Sequence, residues 1–233
     1  MVGTFITFEG NEGAGKSTQI QILASTLRFA GNDVVVVREP GGTVIGEEIR
    51  TLFKDPIKGQ GMCAATELFL VNAARAQMCD EVIRPALQAG RIVISDRFYY
   101  STYVYQHVLR KLSFWQVRNA IEVAIGSQGV RPCNPDITFY LKVSPEVAIE
   151  RIKLRNSSLD RLEGEGEATI KKISTGFDTV CGWDMDRIIT VDAEQSETEV
   201  FSFIWTALGK KYSLVKQQHE LTYEKNTKAR SST

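Results

Sequence analysis

The chain has 233 residues, of which 43% are hydrophobic and 24% charged, values typical of one globular domain with a sizeable core. Lysine and arginine number 28, as do aspartate and glutamate, so the net charge is zero, which argues against a dedicated nucleic-acid-binding protein. No apolar run approaches the roughly 20 residues that a membrane helix needs.

Five short runs rich in β-branched or aromatic residues alternate with segments of helical length. Near-continuous apolar strands joined by helices predict a parallel sheet covered on both faces. The crossovers then bring the carboxyl ends of the strands to one edge, where ligands bind. The predicted strands are Thr4–Phe8, Val34–Val37, Arg91–Ser95, Ile137–Leu141 and Ile188–Val191, and the predicted helices include Lys16–Phe29, Ala64–Leu87, Ser113–Ile125 and Pro145–Leu154.

A phosphate-binding loop follows the first strand directly. The residues from Gly10 to Ser17 satisfy the pattern G-x-x-x-x-G-K-[ST]. The glycines let consecutive backbone N–H groups face inward, and the helix beginning near Lys16 adds the positive end of its dipole. Lys16 is expected to reach the β- and γ-phosphates and Ser17 to bind Mg²⁺. The predicted nucleotide-binding residues are Gly10, Asn11, Glu12, Gly13, Ala14, Gly15, Lys16, Ser17 and Thr18.

A second element of the same site ends the third strand. An apolar run there is followed by Asp96 and Arg97. A buried carboxylate needs a partner, and Mg²⁺ or its water shell is a natural one. Asp96 and Ser17 are therefore the predicted metal-binding residues. The alternative is a structural surface pair between Asp96 and Arg97.

Other classes of phosphate-loop protein are not indicated. The chain has no Asn-Lys-x-Asp motif, which reads guanine in GTPases, and no Asp-x-x-Gly switch. Motor and helicase domains are usually larger than this chain. A small nucleotide kinase remains as the expected class.

Three segments together resemble the bacterial type of the thymidylate kinase family. They are Phe8–Thr18, the Arg-Glu-Pro-Gly-Gly-Thr segment Arg38–Thr43 with the residues following it, and Asp96–Gln106. The resemblance implies an α/β fold of the P-loop NTPase type, a parallel five-stranded sheet with helices on both faces and a short lid. It also implies a kinase that transfers the γ-phosphoryl group of ATP to dTMP, with Mg²⁺, giving dTDP for dTTP synthesis.

The resemblance places the acceptor phosphate among arginines. It implies that Glu12 faces the 3′-hydroxyl of the dTMP sugar and that Arg38, Arg50 and Arg97 surround the 5′-phosphate. Arginine forks neutralise and orient phosphate, which suits a reaction that brings two polyanions together. Arg97 and Lys16 are accordingly counted among the predicted catalytic residues.

For the base, the resemblance points first to the helix Ala64–Leu87. Arg75 matches the position that reads the thymine edge, and residue 71 lies one turn earlier on the same face. The family usually has Phe there, whereas this chain has Val71. Stacking of a base on an aromatic ring is worth about 1–3 kcal/mol, so another pyrimidine monophosphate is the alternative acceptor. Phe69 is predicted to lie in the core, and Phe98 is a candidate to replace the missing ring.

The segment after Asp96 supplies the other predicted contacts. The resemblance implies that Tyr105 lies under the sugar and rejects a 2′-hydroxyl, while Thr102 and Gln106 reach the base edge. The alternative is that the tyrosines of this segment simply pack an amphipathic helix. The predicted dTMP-binding residues are Glu12, Arg38, Arg50, Val71, Arg75, Arg97, Thr102, Tyr105 and Gln106.

Residues from about 151 to 166 are predicted to form the lid of a kinase domain spanning 1–212. Family members with Gly at the position of Gly13 generally supply the catalytic arginine from the lid, so Arg151, Arg155 and Arg161 are the candidates. A lid arginine bridges the two phosphates and excludes water. Residues 213–233 are predicted to be a polar, basic and frayed tail.

The remaining expectations concern partners and location. The four cysteines have no CxxC spacing, and the first residues lack the pattern of a signal peptide. A cytoplasmic protein with reduced thiols is expected, binding neither membranes nor nucleic acid. The family implies a homodimer, for which Ala64–Leu87 and Ser113–Ile125 offer an apolar face. The non-enzymatic alternative is a nucleotide-binding regulator that has lost turnover.

Overall fold

The computed structural model describes residues 3–126, 132–155 and 161–210, and a sheet of five parallel strands forms its centre. The order across the sheet is β2-β3-β1-β4-β5, and every neighbouring pair is parallel. The predicted fold class is therefore confirmed. The strands are β1 (Thr4–Glu9), β2 (Val34–Arg38), β3 (Ile92–Asp96), β4 (Ile137–Lys142) and β5 (Ile188–Asp192).

Helices pack on both faces of this sheet. Residues 197–210 are helical and are called α9 here. The sequence pattern does not predict the helices over 44–54 and 167–181. The helices are α1 (Lys16–Phe29), α2 (Val44–Lys54), α3 (Ala64–Met78), α4 (Arg84–Gln88), α5 (Tyr99–Thr102), α6 (Phe114–Ile125), α7 (Pro145–Leu154) and α8 (Glu167–Cys181).

Two helices widen into π-helical turns. The segment predicted as one helix over Ala64–Leu87 is helical throughout, but a π-helical turn, Cys79–Ile83, separates α3 from α4. Pro85 explains this interruption, because proline lacks an N–H and its ring crowds the preceding turn of a regular α-helix. Likewise α5 continues as a π-helical segment, Tyr103–Leu109.

Two apolar cores lie on the opposite faces of the sheet. Successive side chains of a strand alternate between faces, so Phe5 joins the core beneath α3, α6 and α8, whereas Ile6 joins the core beneath α1 and α9. Both side chains are fully buried. This arrangement fixes the carboxyl ends of the strands as the open edge of the molecule.

The prediction that Phe69 lies in the core is wrong. Its side chain on α3 is 67% exposed, and the adjacent helix α6 exposes Trp115 and Val123 by 63% and 75%. The buried face of α3 instead includes Leu68, Val71 and Arg75. No helix in the described residues is long and apolar enough to cross a membrane.

Candidate active site

A cavity of about 420 Å³ opens at the carboxyl ends of the strands, within the usual size range of small-ligand sites. It brings together segments that are far apart in the chain. Of the predicted site residues, those lining it are Glu12, Gly13, Gly15, Lys16, Ser17, Thr18, Arg38, Arg50, Val71, Arg75, Asp96, Arg97, Thr102, Tyr105, Gln106, Arg151 and Arg155.

The phosphate loop has the backbone that its glycines predict. Gly13 and Gly15 have φ values of 76° and 84°, in the left-handed region, and α1 begins at Lys16. Gly10, Asn11 and Ala14 are buried supports behind the cavity wall. The amino end of α1 therefore points into the cavity, where its dipole favours an anion.

Lys16 is buried and held by its own loop. Its Nζ donates to the carbonyl oxygens of Gly10 and Asn11 at 3.2 and 2.8 Å. Burial, together with the positive charge of Arg97, lowers the pKa of Lys16 below its ordinary value. Two neutral carbonyls are weak partners for a buried ammonium group, so the lysine is prepared to bind an anion.

Ser17 and Asp96 meet at the mouth of the cavity. The Ser17 hydroxyl donates to Asp96 Oδ2 at 3.1 Å. The described residues contain no cluster of three or more metal-binding side chains of the His, Cys, Asp or Glu type. One hydroxyl and one carboxylate suit Mg²⁺, because this ion prefers oxygen ligands and takes most of them from phosphates and water.

Arg97 occupies the centre of the cavity in a strained backbone conformation. Its φ is 70°, uncommon for a residue with a side chain. Nη2 donates to Glu12 Oε1 at 2.9 Å and Nη1 to the Ser101 hydroxyl at 3.0 Å. Its guanidinium also lies 5.6 Å from the centre of the Tyr105 ring. Burial would raise the pKa of Glu12, but Arg97, Lys16 and Lys54 hold it below its ordinary value, so Glu12 is ionised.

Behind Arg97 lies Glu9, a fully buried carboxylate at the end of β1 that the sequence reasoning missed. It accepts hydrogen bonds from the N–H groups of Phe98 and Ser101 and, at 2.5 Å, from the Ser101 hydroxyl. Burial raises the pKa of Glu9 from 4.5 to about 7, although Arg97 and these donors oppose the shift. The only sequence signal for it was a charged residue ending an apolar run.

At the opposite end of the cavity, Arg75 is 2% exposed and rigidly held. Nε and Nη2 donate to Glu39, the Nη2 contact measuring 2.6 Å. Nη1 donates to Asn72 Oδ1, and Nη2 also donates to Thr102 Oγ1, both at 2.8 Å. A guanidinium has five N–H groups, and among the described residues the last Nη1 hydrogen has no acceptor.

Phe98 cannot replace the ring that is missing at Val71. It is fully buried, packs edge-on against Phe5 at 4.9 Å, and lies beneath the Arg75 guanidinium at 5.3 Å. The proposal that it stacks on the base is therefore wrong. Phe53, which the sequence had not suggested, lines the cavity instead.

The second loop presents Arg38 and Arg50 at the rim. Arg38 pairs with Glu47 at 2.9 Å, and Arg50 Nη1 donates to the Pro40 carbonyl at 2.8 Å. The Glu39–Pro40 peptide bond is cis. Both arginines thus remain within reach of an anion in the cavity.

The three candidate lid arginines separate in space. Arg151 and Arg155 line the cavity, and Arg151 Nη1 donates to the carbonyls of Ala193 and Gly13 at 2.9 and 3.4 Å. Arg161 does not line it and instead pairs with Glu67 on α3 at 2.7 Å. Residues 156–160 of the predicted lid and the predicted tail at 213–233 lie outside the described residues.

Comparison with known proteins matches residues 8–204 to the family model described as thymidylate kinase. A thymidylate kinase from Lactobacillus helveticus is 41% identical over 216 residues, covering 91% of this chain and 98% of the relative. One from Pseudomonas fluorescens is 44% identical over 195 residues, covering 84% and 90%. The crystal structure of thymidylate kinase from Ehrlichia chaffeensis superposes with a TM-score of 0.68 at 28% identity, covering 89% of this chain and 99% of that one.

Proposed function

We propose how this chain, which belongs to the thymidylate kinase family and phosphorylates dTMP to dTDP, divides that reaction among its residues. The names of the relatives favour neither another pyrimidine acceptor nor a regulator without turnover. One observation carries the assignment of roles: a single cavity is lined by the phosphate loop, by Arg97 with Glu12, and by the guanidinium group of Arg75.

The donor ATP binds along residues 10–18. Lys16 exchanges the neutral carbonyls of Gly10 and Asn11 for charged phosphate oxygens, which are better partners for an ammonium group. Ser17 and Asp96 would hold Mg²⁺, whose chemistry is to neutralise the charge of the phosphate oxygens. The contact between this hydroxyl and this carboxylate supports a shared ligand.

The acceptor phosphate lies between Arg97, Arg38 and Arg50. Glu12 holds Arg97 in place and, because it is ionised, accepts only. It therefore suits the hydrogen of the sugar 3′-hydroxyl. Phosphoryl transfer needs positioning and charge stabilisation more than covalent chemistry, and the fixed guanidinium provides both.

The base lies against Val71 and Arg75. Arg75 offers one remaining N–H, which matches the O4 acceptor of thymine and opposes the amino group of cytosine. The Thr102 hydroxyl accepts a hydrogen bond from Arg75 and helps to hold its guanidinium group. Tyr105 lines the part of the cavity that receives the sugar. A donor fixed by four other hydrogen bonds discriminates well, because it cannot turn away from a mismatched base.

For the transferring phosphoryl group, Arg151 and Arg155 are the better-placed candidates, since both line the cavity. A guanidinium near the donor stabilises the charge that develops in the transition state. Arg161 instead pairs with Glu67 outside the cavity lining.

The proposed assembly is a homodimer through the exposed apolar side chains of α3 and α6, Phe69 and Trp115 among them. Light scattering tests it: a mass near 26 kDa at micromolar concentration would contradict the dimer. The proposed location is the cytoplasm, supported by four cysteines of which none forms a disulfide.

A coupled ADP-release assay tests the roles of the cavity residues. With ATP and Mg²⁺, we expect the fastest turnover with dTMP, compared with dUMP, UMP, dCMP, dGMP and no acceptor. Preference for dCMP would contradict the role of Arg75. ADP release that does not depend on an acceptor would contradict the acceptor site as a whole.

A further inference from the structure

An ionic cluster around one buried glutamate lies beside the base end of the cavity. Its centre is Glu67 on α3, which is 1% exposed. Arg110 donates to both carboxylate oxygens, at 3.0 and 3.1 Å, and Arg161 Nη1 donates to Oε1 at 2.7 Å. Arg110 also pairs with Glu165. Two arginines and two glutamates make the cluster neutral, and the arginines compensate the buried charge of Glu67.

The fourth donor to Glu67 is Gln106. Its Nε2 lies 3.2 Å from Glu67 Oε2. Amide oxygen and nitrogen are often interchangeable in a structure, but an ionised carboxylate accepts only, so this contact requires the NH₂ group. Burial would raise the pKa of Glu67, yet the hydrogen bonds from Arg110 and Arg161 hold it below its ordinary value.

The orientation of Gln106 determines what the cavity offers to a base. Gln106 lines the cavity, and among the described residues its Oε1 accepts no hydrogen bond. With its NH₂ held by Glu67, the amide presents an acceptor. The pocket then combines an acceptor from Gln106 with a donor from Arg75, which matches N3–H and O4 of thymine or uracil and opposes cytosine.

Glu67 also fixes part of the cavity wall. Arg161 Nε donates to the Phe53 carbonyl at 2.8 Å, and its guanidinium lies 4.9 Å from the centre of the Phe53 ring. The next residue, Leu162, lines the cavity together with Phe53. The Glu67 carboxylate therefore contacts both Arg161, which supports the cavity wall at Phe53, and Gln106, which faces the base.

We propose that Glu67 is a positioning residue that sets the hydrogen-bond polarity of Gln106 and thereby the preference for thymine or uracil over cytosine. This inference rests on the proposed contact between Gln106 and the base. Arg161 acts with Glu67 as a positioning residue of the wall. Neither residue touches the reacting atoms.

Replacement of Glu67 by glutamine tests the proposal. The NH₂ group of the new glutamine takes the position of Oε2, where it faces one arginine donor, Arg110 Nε, and Gln106. At the position of Oε1 it would face two arginine donors. Gln106 then turns its own amide and presents NH₂ to the base. We expect the KM for dTMP to rise about tenfold, as for loss of one good hydrogen bond. The preference in kcat/KM for dTMP over dCMP should fall by at least that factor, while the KM for ATP stays within about twofold.

A matched control and a second variant make the test decisive. Glu122→Gln changes an exposed glutamate that pairs with Arg118 on α6, and should leave every parameter unchanged. Should Glu67→Gln not fold, the double variant with Arg110→Gln keeps the cluster neutral and should show the same change in base preference.

Gln106→Leu distinguishes the role of Glu67 from the contact between Gln106 and the base. If it raises the KM for dTMP while Glu67→Gln leaves base preference unchanged, the role of Glu67 is overturned and the Gln106 contact stands. If Gln106→Leu also has no effect, the contact with the base is itself wrong, and the proposal falls with it. A fall in base preference in both variants supports the proposal.

Discussion

The buried carboxylate of Glu9 makes the stability of this protein depend on pH in a defined direction. It lies behind Arg97, is fully buried, and accepts three hydrogen bonds from the first turn after β3. Glu9→Gln keeps its shape and acceptor oxygen but removes the ionisation. The difference between the two proteins across pH isolates this one group.

The magnitude follows from the pKa of Glu9, which is raised from 4.5 to about 7. Below pH 4.5 the folded and unfolded states are both protonated, and the group contributes no pH dependence. Between about 4.5 and 7 only the folded state holds the proton, so the free energy of unfolding falls as pH rises. Each pKa unit corresponds to about 1.4 kcal/mol, giving a total change of about 3 kcal/mol.

Urea unfolding at several pH values from 4.5 to 8 measures this change. We expect Glu9→Gln to gain about 3 kcal/mol relative to the natural protein over that range, with most of the gain below pH 7. Glu48→Gln, at an exposed position of α2, is the control and should show no such trend. A constant difference between Glu9→Gln and the natural protein would refute the raised pKa.

Three further variants test the cavity by steady-state kinetics. Val71→Phe should lower the KM for dTMP by roughly tenfold, because stacking on an aromatic ring is worth about 1–3 kcal/mol; an unchanged KM would show that Phe53 or another wall residue already provides that contact. Arg155→Ala should lower kcat by about 10²–10³ with little change in the KM for dTMP, whereas the same change at the exposed Lys153 should have no effect; equal effects would contradict a catalytic role. Asp96→Asn should raise the Mg²⁺ concentration for half-maximal turnover at least about tenfold, and an unaltered Mg²⁺ requirement would remove Asp96 from the metal site.

Hydrophobic pattern predicted the sheet well because β1, β3 and β4 are almost completely buried, and the edge strands β2 and β5 still bury part of their apolar side chains. Every observed strand nevertheless ends one residue later than predicted, at a charged residue: Glu9, Arg38, Asp96, Lys142 and Asp192. The apolar residues of each strand end where the two hydrophobic cores end, whereas the backbone pairing between strands continues for one more residue toward the open edge of the sheet. Parallel topology brings these charged residues to the edge where the cavity opens, and two of them, Arg38 and Asp96, line it.

Contacts that span the chain could not be predicted from spacing. Glu67 and Arg161 are 94 positions apart, and nothing in the local pattern of either indicates a buried pair. Phe69 was misplaced for a related reason: α3 has apolar side chains around much of its circumference, and only the packing of its neighbours decides which are covered. Pattern predicts an element, while tertiary contacts decide which face of it is buried.

The link between Gly13 and the lid arginines has a steric basis. A Cβ atom at position 13 would lie 2.9 Å from the Ala148 carbonyl oxygen and 3.3 Å from the Arg151 Cβ, both on α7. Any side chain there would push away the helix that carries Arg151 to the cavity. Since Arg151 also donates to the Gly13 carbonyl, glycine at position 13 allows the helix that carries Arg151 to pack against the phosphate loop. A larger residue at position 13 would compete with Arg151 for the same space, so the glycine agrees with the proposal that α7 and the residues after it supply positive charge to the transferring phosphoryl group.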